Sequence, residues 1–127
     1  MHPLLYILLG YSLTLLTKLP VSMAMNRQSS YDNHNPRLQQ AQLTGWGKRS
    51  VAAHENAFEA FPPFAFAVVV AYISEADPTV LHSLAAGFLV LRLAYQGAYL
   101  ADLATLRSTL WLAAVGYCVG LMLTPVL

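Results

Sequence analysis

The chain has 127 residues, of which 57% are hydrophobic and 10% are charged, and its formal net charge is +1. A soluble domain carries roughly 25% charged residues, and a chain this short cannot bury so many apolar residues in one core. The composition therefore indicates a membrane protein, and the small net charge gives no basic surface that would indicate a nucleic-acid partner. A single cysteine, Cys118, excludes both an internal disulfide framework and a cysteine-based metal site.

Four apolar segments follow one another along the chain. We predict membrane helices at residues 3–25, 47–73, 80–100 and 106–124. Each segment is close to or above the roughly 20 residues that a helix needs to cross about 30 Å of hydrocarbon. No segment alternates with the period of a β-barrel strand, and a helix pairs its backbone groups internally. The sequence thus predicts an all-α, four-helix membrane bundle that forms a single domain over residues 1–127.

The first segment is predicted to be a retained membrane helix rather than a cleaved signal peptide. Ser22-Met23-Ala24 has the small-residue spacing of a cleavage site, but no Lys or Arg precedes the apolar run. Lys18 and Pro20 also interrupt its end. We expect Pro20 to kink the helix and Lys18 to extend toward the nearer membrane interface.

The three connections between the segments differ in charge. The first, residues 26–46, is polar and contains arginines, and the third, residues 102–105, is followed by Arg107. The second, residues 74–78, carries two acidic residues and neither Lys nor Arg. By the positive-inside rule we expect the first and third connections in the cytoplasm of a bacterial inner membrane or an equivalent membrane.

Two stripes of polar side chains lie inside the apolar helices, because residues three, four and seven apart share a helix face. The stripes consist of Arg49, Asn56 and Glu59 in the second helix and of Arg92, Tyr95 and Tyr99 in the third. Arg92 lies within an apolar run and requires a partner, so we predict an ion pair with Glu59. Taken alone, this pair is interpreted as a structural link between two helices, since buried pairs more often specify arrangement than react.

Metal and covalent catalysis are not indicated by spacing. His54-Glu55 begins like a zincin helix, but Phe58 stands where the second His would be. No glycine-rich phosphate loop and no Ser–His–acid order is found in the sequence. The residues alone therefore predict a polar cluster in the cytoplasmic half of the bundle, suited to a small anionic, peptide-like ligand beside a lipophilic one.

The motifs occur in a characteristic order along the chain. They are HENAFE at 54–59, Pro63-Phe64, RLAYQGAY at 92–99 and Leu106-Arg107-Ser108. This order resembles the MAPEG family, the membrane-associated proteins of eicosanoid and glutathione metabolism. The resemblance covers almost the whole chain, including the four helices, the long polar first loop and the short third one.

The resemblance implies a homotrimer that binds glutathione, as a co-substrate, between adjacent subunits near the cytoplasmic side. It implies further that membrane lipid surrounds the protein and that a small lipophilic molecule is the second substrate. Arg107 is expected to stabilise the glutathione thiolate, and Ser108 is expected to hydrogen-bond it. The residues expected at the glutathione site are Asn56, Glu59, Arg92, Tyr99, Tyr95, Arg49 and His54.

Two positions depart from the pattern of the catalytic members. Ala52 stands where those members carry an Arg that contacts glutathione, and Glu55 occupies a position where a second glutathione-binding Arg can sit. Three functions follow as hypotheses. The first is a glutathione transferase or peroxidase acting on lipophilic electrophiles. The second, favoured by Ala52 and Glu55, is a non-catalytic lipid-binding or scaffold protein of the same fold, and the third is a small proton-coupled exporter built around Glu59, which a neutralising Arg92 disfavours.

Overall fold

The computed structural model describes residues 1–126. Its helices are α1 (Leu5–Leu16), α2 (Lys18–Gln28), α3 (Pro36–Ala41), α4 (Gly45–Ile73), α5 (Pro78–Leu100) and α6 (Ala104–Leu123). A 3-10 turn, Thr124–Val126, follows α6, and no strand occurs in this part of the chain. Four spans are long and apolar enough to cross a membrane: α1 with α2, α4, α5, and α6 with its turn. The predicted all-α, four-span architecture is confirmed, and Leu127, the last residue of the predicted domain, lies outside the described range.

The first span is broken at Thr17, three residues before Pro20. α1 ends at Leu16 and α2 begins at Lys18, and the Thr17 hydroxyl donates to the Thr14 carbonyl at 2.6 Å. Proline has no N–H, and its ring crowds the carbonyl four residues earlier, which here belongs to Leu16. The kink expected from Pro20 therefore lies at Thr17, next to the Leu16 carbonyl that the proline ring crowds.

The first connection contains a short helix, α3, that the sequence predicted only as a polar loop. Pro36 occupies the first turn of α3, where its missing N–H is not needed. The buried Gln39 amide donates to the Met25 carbonyl at 3.3 Å and to Ser29 Oγ at 3.0 Å, and its oxygen accepts from the Asp32 N–H at 2.8 Å. These bonds fasten α3 to the end of α2.

The second, third and fourth spans begin two residues earlier than predicted, at Gly45, Pro78 and Ala104, whereas the first begins two residues later, at Leu5. α5, predicted from residue 80, begins at Pro78. Asp77 precedes it as the N-cap, and its carboxylate accepts from the backbone N–H groups of Thr79 and Val80 at 2.9 and 3.0 Å. Hydropathy alone gives no weight to such caps, so it predicts the apolar centre of a span better than its ends.

α4 is the central helix and packs against all five others. Phe64 is fully buried near its middle, and its ring stacks on Phe88 of α5 with centroids 4.1 Å apart. Gly10 of α1 permits this packing, since a Cβ there would lie 3.1 Å from the Phe64 ring. α4 thereby separates two sides of the bundle, one facing α5 and α6 and the other facing α2 and α3.

Most of the apolar surface of the spans is left uncovered by the chain itself. No span buries more than 28% of its most apolar window inside the chain. Exposed apolar side chains in water would be unfavourable over so large an area, whereas lipid accepts them without cost. The chain is therefore a multi-pass membrane protein in contact with lipid.

Candidate functional site

A polar cluster lies where α4 meets α5. The Arg92 side chain is buried, and its Nη2 donates to Asn56 Oδ1 at 2.8 Å and to the Asn56 carbonyl at 3.4 Å. The amide nitrogen of Asn56 in turn donates to Glu59 Oε2 at 3.0 Å. Asn56 therefore bridges a cation and an anion, which its amide suits because it has both an acceptor oxygen and two donor hydrogens.

The predicted ion pair between Glu59 and Arg92 is wrong. Within residues 1–126 no charged atoms of these two side chains lie within 4.0 Å of each other. The physical reason is that Asn56 occupies the space beside the guanidinium. Glu59 lies one helical turn further along α4, and its side chain is exposed. The link between the helices exists, but it runs through an amide.

Two arginines enclose two tyrosines along the same edge of α5. The Arg92 guanidinium carbon lies 4.2 Å from the centre of the buried Tyr95 ring, and the Tyr95 and Tyr99 rings meet edge-on with centroids 5.6 Å apart. Arg107, from the first turn of α6, lies 4.6 Å above the Tyr99 ring. A guanidinium within about 6 Å of an aromatic ring is attracted to its face. The structure thus gathers four predicted site residues into one row, which we call the Arg–Tyr row.

Arg107 at the end of this row is partly buried. Within residues 1–126 no carboxylate lies within 4.0 Å of its guanidinium. Its neighbour Ser108 is exposed on the surface of α6. Arg107 is therefore a positive charge that an aromatic ring holds in position and that no carboxylate of the described chain neutralises.

An apolar groove of about 310 Å³ continues from the polar cluster between α4, α5 and α6. Asn56, Glu59 and Arg92 line its polar end. The remaining lining residues are Ala60, Pro63, Phe88, Trp111, Ala114, Val115, Cys118, Val119 and Met122. A lipophilic molecule in this groove would have one end beside the polar cluster.

Sequence reasoning missed the contribution of α6 to this groove. Trp111 is 45% exposed and lines the groove together with the buried Cys118. The spacing of Trp111, Ala114, Cys118 and Met122 does follow one helix face, so a signal was present. It was not decisive, since an apolar stripe is equally expected of a face that only packs.

His54 and Glu55 lie on the other side of α4, which we call the His54 side. His54 Nδ1 is 2.7 Å from Thr17 Oγ1. The Thr17 hydroxyl also donates to the Thr14 carbonyl at 2.6 Å, and both contacts are made together by the His54 tautomer that carries its proton on Nδ1. Asn56 and Glu59 line the groove toward α5 and α6, which we call the Asn56 side. Within one chain, the predicted site residue His54 is thus separated from Asn56 by the body of the helix.

Arg49, another predicted site residue, connects the first turns of α4 to the turn between α5 and α6. Its Nη1 lies 3.9 Å from Asp102 Oδ2, and its Nη2 donates to the Leu100 carbonyl at 3.5 Å. Asp102 has a positive φ of 61°, which turns the chain sharply into α6. The contacts of Arg49 hold the end of the bundle from which Arg107 projects.

The comparison with known families agrees with this geometry. The model of the MAPEG family matches residues 3–127, which is essentially the whole chain. A search of curated proteins and a search of solved structures each found no significant match. With four membrane spans, a polar cluster between α4 and α5, and a family match over nearly its full length, the chain is a member of the MAPEG family.

Proposed function

We propose that the protein is a glutathione-dependent transferase or peroxidase that acts on lipophilic electrophiles in the membrane. The observation that supports this proposal most directly is Arg107, a cation seated on Tyr99 with no carboxylate within 4.0 Å in the described chain. A guanidinium in this setting favours an anionic ligand. The adjacent groove supplies an apolar space of about 310 Å³ for the second substrate.

Arg107 acts by stabilising the glutathione thiolate, which is the nucleophilic form of a thiol. A thiol has an ordinary pKa of about 8.5, and roughly 3 kcal/mol of preferential interaction with the anion makes it largely ionised at neutral pH. One close cation in a site of low dielectric supplies an energy of this order. Ser108 donates a hydrogen bond to the same sulfur.

The thiolate sulfur then forms a bond to an electrophilic carbon of the lipophilic substrate. In a displacement the leaving group departs with the electron pair, and in an addition the carbon or oxygen that receives the electrons takes a proton. In the peroxidase reaction, two glutathione molecules reduce a hydroperoxide to an alcohol and water and become glutathione disulfide. Both reactions need the same thiolate.

The polar cluster positions the peptide. The exposed carboxylate of Glu59 suits the ammonium group of glutathione, and Asn56 offers amide groups to the peptide backbone. Arg92 orients Asn56 through its bond at 2.8 Å. Tyr95 and Tyr99 form the wall beside the peptide, while Arg49 and His54 complete the site from its edge or from a neighbouring subunit.

The functional unit is a homotrimer in which each glutathione lies between two subunits. Family membership supports an oligomer, and so do the exposed apolar spans and the exposure of Glu59. The first and third connections face the cytoplasm of a bacterial inner membrane or an equivalent membrane, because the arginines lie in the first connection and directly after the third. Glutathione then reaches the site from the cytoplasmic side.

A second candidate is a non-catalytic lipid-binding or scaffold protein of the same fold. Ala52 favours it, since no cation stands there to meet a carboxylate of glutathione. Glu55 favours it less than the sequence suggested, because its side chain lines the His54 side and not the Arg–Tyr row. The exporter hypothesis is the weakest, since Glu59 accepts a hydrogen bond from Asn56, which is itself bonded to Arg92.

Activity of the purified protein in lipid vesicles tests the proposal. We expect conjugation of glutathione to an aryl halide or reduction of a lipid hydroperoxide, and a loss of at least about tenfold in Arg107→Ala, corresponding to roughly 1.4 kcal/mol of transition-state stabilisation. Lys48→Ala is the matched control, because Lys48 is an exposed cation at the same end of the bundle. Lipid binding without any turnover in the wild type would favour the second candidate.

A further inference from the structure

A second concentration of positive charge lies on the His54 side of α4, away from the Arg–Tyr row. Lys18 of α2 and Arg37 of α3 line the same cleft, which has a volume of about 510 Å³ and which we call the basic cleft. The full lining is Lys18, Arg37, Gln40, Ala41, Val51, His54, Glu55 and Phe58. Within residues 1–126 neither cation has a carboxylate within 4.0 Å. Two like charges that share a cleft repel each other, so an anion between them is stabilised.

Hydrogen bonds fix the elements that carry these cations. The contact between Thr17 and His54 joins the start of α2 to α4 beside Lys18. The buried Gln39 fastens α3, and with it Arg37, to the end of α2. The cleft is therefore formed by braced elements, and the cations project from them into a shared space.

The lining also limits the kind of anion that fits. Glu55 contributes one negative charge against the two positive charges, so the cleft retains a net attraction for an anion. Val51 and Phe58 form an apolar wall, and the Phe58 side chain is 46% exposed. A ligand that places an anionic group between two cations and hydrocarbon beside an aromatic ring satisfies all of these features.

The position of the cleft identifies the source of such a ligand. It opens at the end of the bundle that carries the polar first connection, and its apolar wall continues onto a membrane-spanning helix. We propose that the basic cleft binds the phosphate-bearing headgroup of an anionic phospholipid, with Lys18 and Arg37 at the phosphate and Phe58 beside the lipid chains. Basic pockets between membrane helices bind lipid headgroups in this way. Because His54 lines this cleft and is also proposed to complete the glutathione site, an experiment has to distinguish lipid from glutathione there.

Native mass spectrometry of the full-length, delipidated protein tests this proposal. The protein is offered equal amounts of phosphatidylglycerol and phosphatidylcholine in mixed micelles, and the retained lipids are counted. We expect the wild type to prefer phosphatidylglycerol. Lys18→Gln should reduce the preference about fivefold, and the Lys18→Gln/Arg37→Gln pair should reduce it about 25-fold.

Two controls separate a specific site from general attraction. Lys48→Gln removes an exposed cation that does not line the cleft, and it should leave the preference unchanged. The charge-conserving pair Lys18→Arg/Arg37→Lys should retain it, which shows that a loss does not come from misfolding. Equal retention in the wild type and the Gln pair, or an equal loss in Lys48→Gln, would overturn the proposal.

Binding of a soluble anion tests whether the lipid chains contribute to the affinity. If glycerol 3-phosphate binds as tightly as phosphatidylglycerol, the apolar wall plays no part and the lipid assignment is wrong. If the Gln pair loses glutathione binding instead of lipid preference, the cleft belongs to the peptide ligand. Retained glutathione binding in the Gln pair, together with lost lipid preference, supports two separate sites.

Discussion

The cations on the two sides of α4 lie in different environments. On the Asn56 side, Arg92 is buried, hydrogen-bonded to Asn56 and stacked on Tyr95. On the His54 side, Lys18 and Arg37 line an open cleft and have no carboxylate within 4.0 Å in the described residues. Burial of the Arg92 guanidinium costs desolvation free energy, which contacts within the protein offset. The cations in the cleft remain accessible to solvent or to a ligand. Arg92 therefore stabilises the fold, whereas Lys18 and Arg37 are available to bind a ligand.

The largest effect is expected when one cation is removed from each side of α4. Arg92→Ala leaves the Asn56 oxygen without its partner and removes the packing on Tyr95. We expect the free energy of unfolding to fall by about 3 kcal/mol. Thermal denaturation in detergent measures the effect.

The matched control for this change is Arg37→Ala. Its side chain is exposed in α3, so a loss within about 0.5 kcal/mol is expected. Equal destabilisation by the two substitutions would contradict the distinction between the two sides of α4.

A smaller effect is expected from the brace on the His54 side. Thr17→Val removes the hydroxyl that lies 2.7 Å from His54 Nδ1 and leaves that partly buried nitrogen without its partner. A loss of about 1 to 2 kcal/mol follows, again measured by thermal denaturation. Thr109→Val is the control, because the exposed Thr109 hydroxyl bonds only within its own helix. A result in which both variants lose the same stability would remove the cross-helix role of Thr17.

The smallest effect is expected from the exposed ion pair between Arg49 and Asp102. Its atoms are 3.9 Å apart, and the Asp102 side chain is 70% exposed. Such pairs contribute about 0.2 to 1 kcal/mol, and salt screens them. A double-mutant cycle of Arg49→Ala and Asp102→Ala at low and high salt measures the coupling. A coupling above this range that persists at high salt would show that Arg49 belongs to a buried network.

The sequence predicted the fold well because membrane spans depend on a property that hydropathy measures directly. All four spans were found, since lipid requires about 20 apolar residues in each. The helix α3 was not found, and the kink expected from Pro20 was not placed at Thr17, because both depend on hydrogen bonds between residues that are distant in sequence or on local capping. Span centres follow from composition, and span ends follow from particular contacts.

The contacts among the polar side chains were predicted in part, for a similar reason. Helical spacing correctly put Arg92, Tyr95 and Tyr99 on one face, and in the structure Arg107 of α6 contacts Tyr99 at the end of that face. Spacing within a helix does not determine which neighbour a side chain meets. The ion pair predicted for Glu59 was therefore replaced by the bridge through Asn56, which the sequence alone did not distinguish from a direct contact.

The central claim is that Arg107 is a free cation poised to stabilise a thiolate. Titration of the purified wild type with glutathione in detergent, followed by ultraviolet absorbance of the thiolate, tests it most directly. We predict a saturable rise in absorbance near neutral pH that is absent in Arg107→Ala and retained in Lys48→Ala. No thiolate signal and no binding of glutathione at millimolar concentrations in the wild type would contradict the claim.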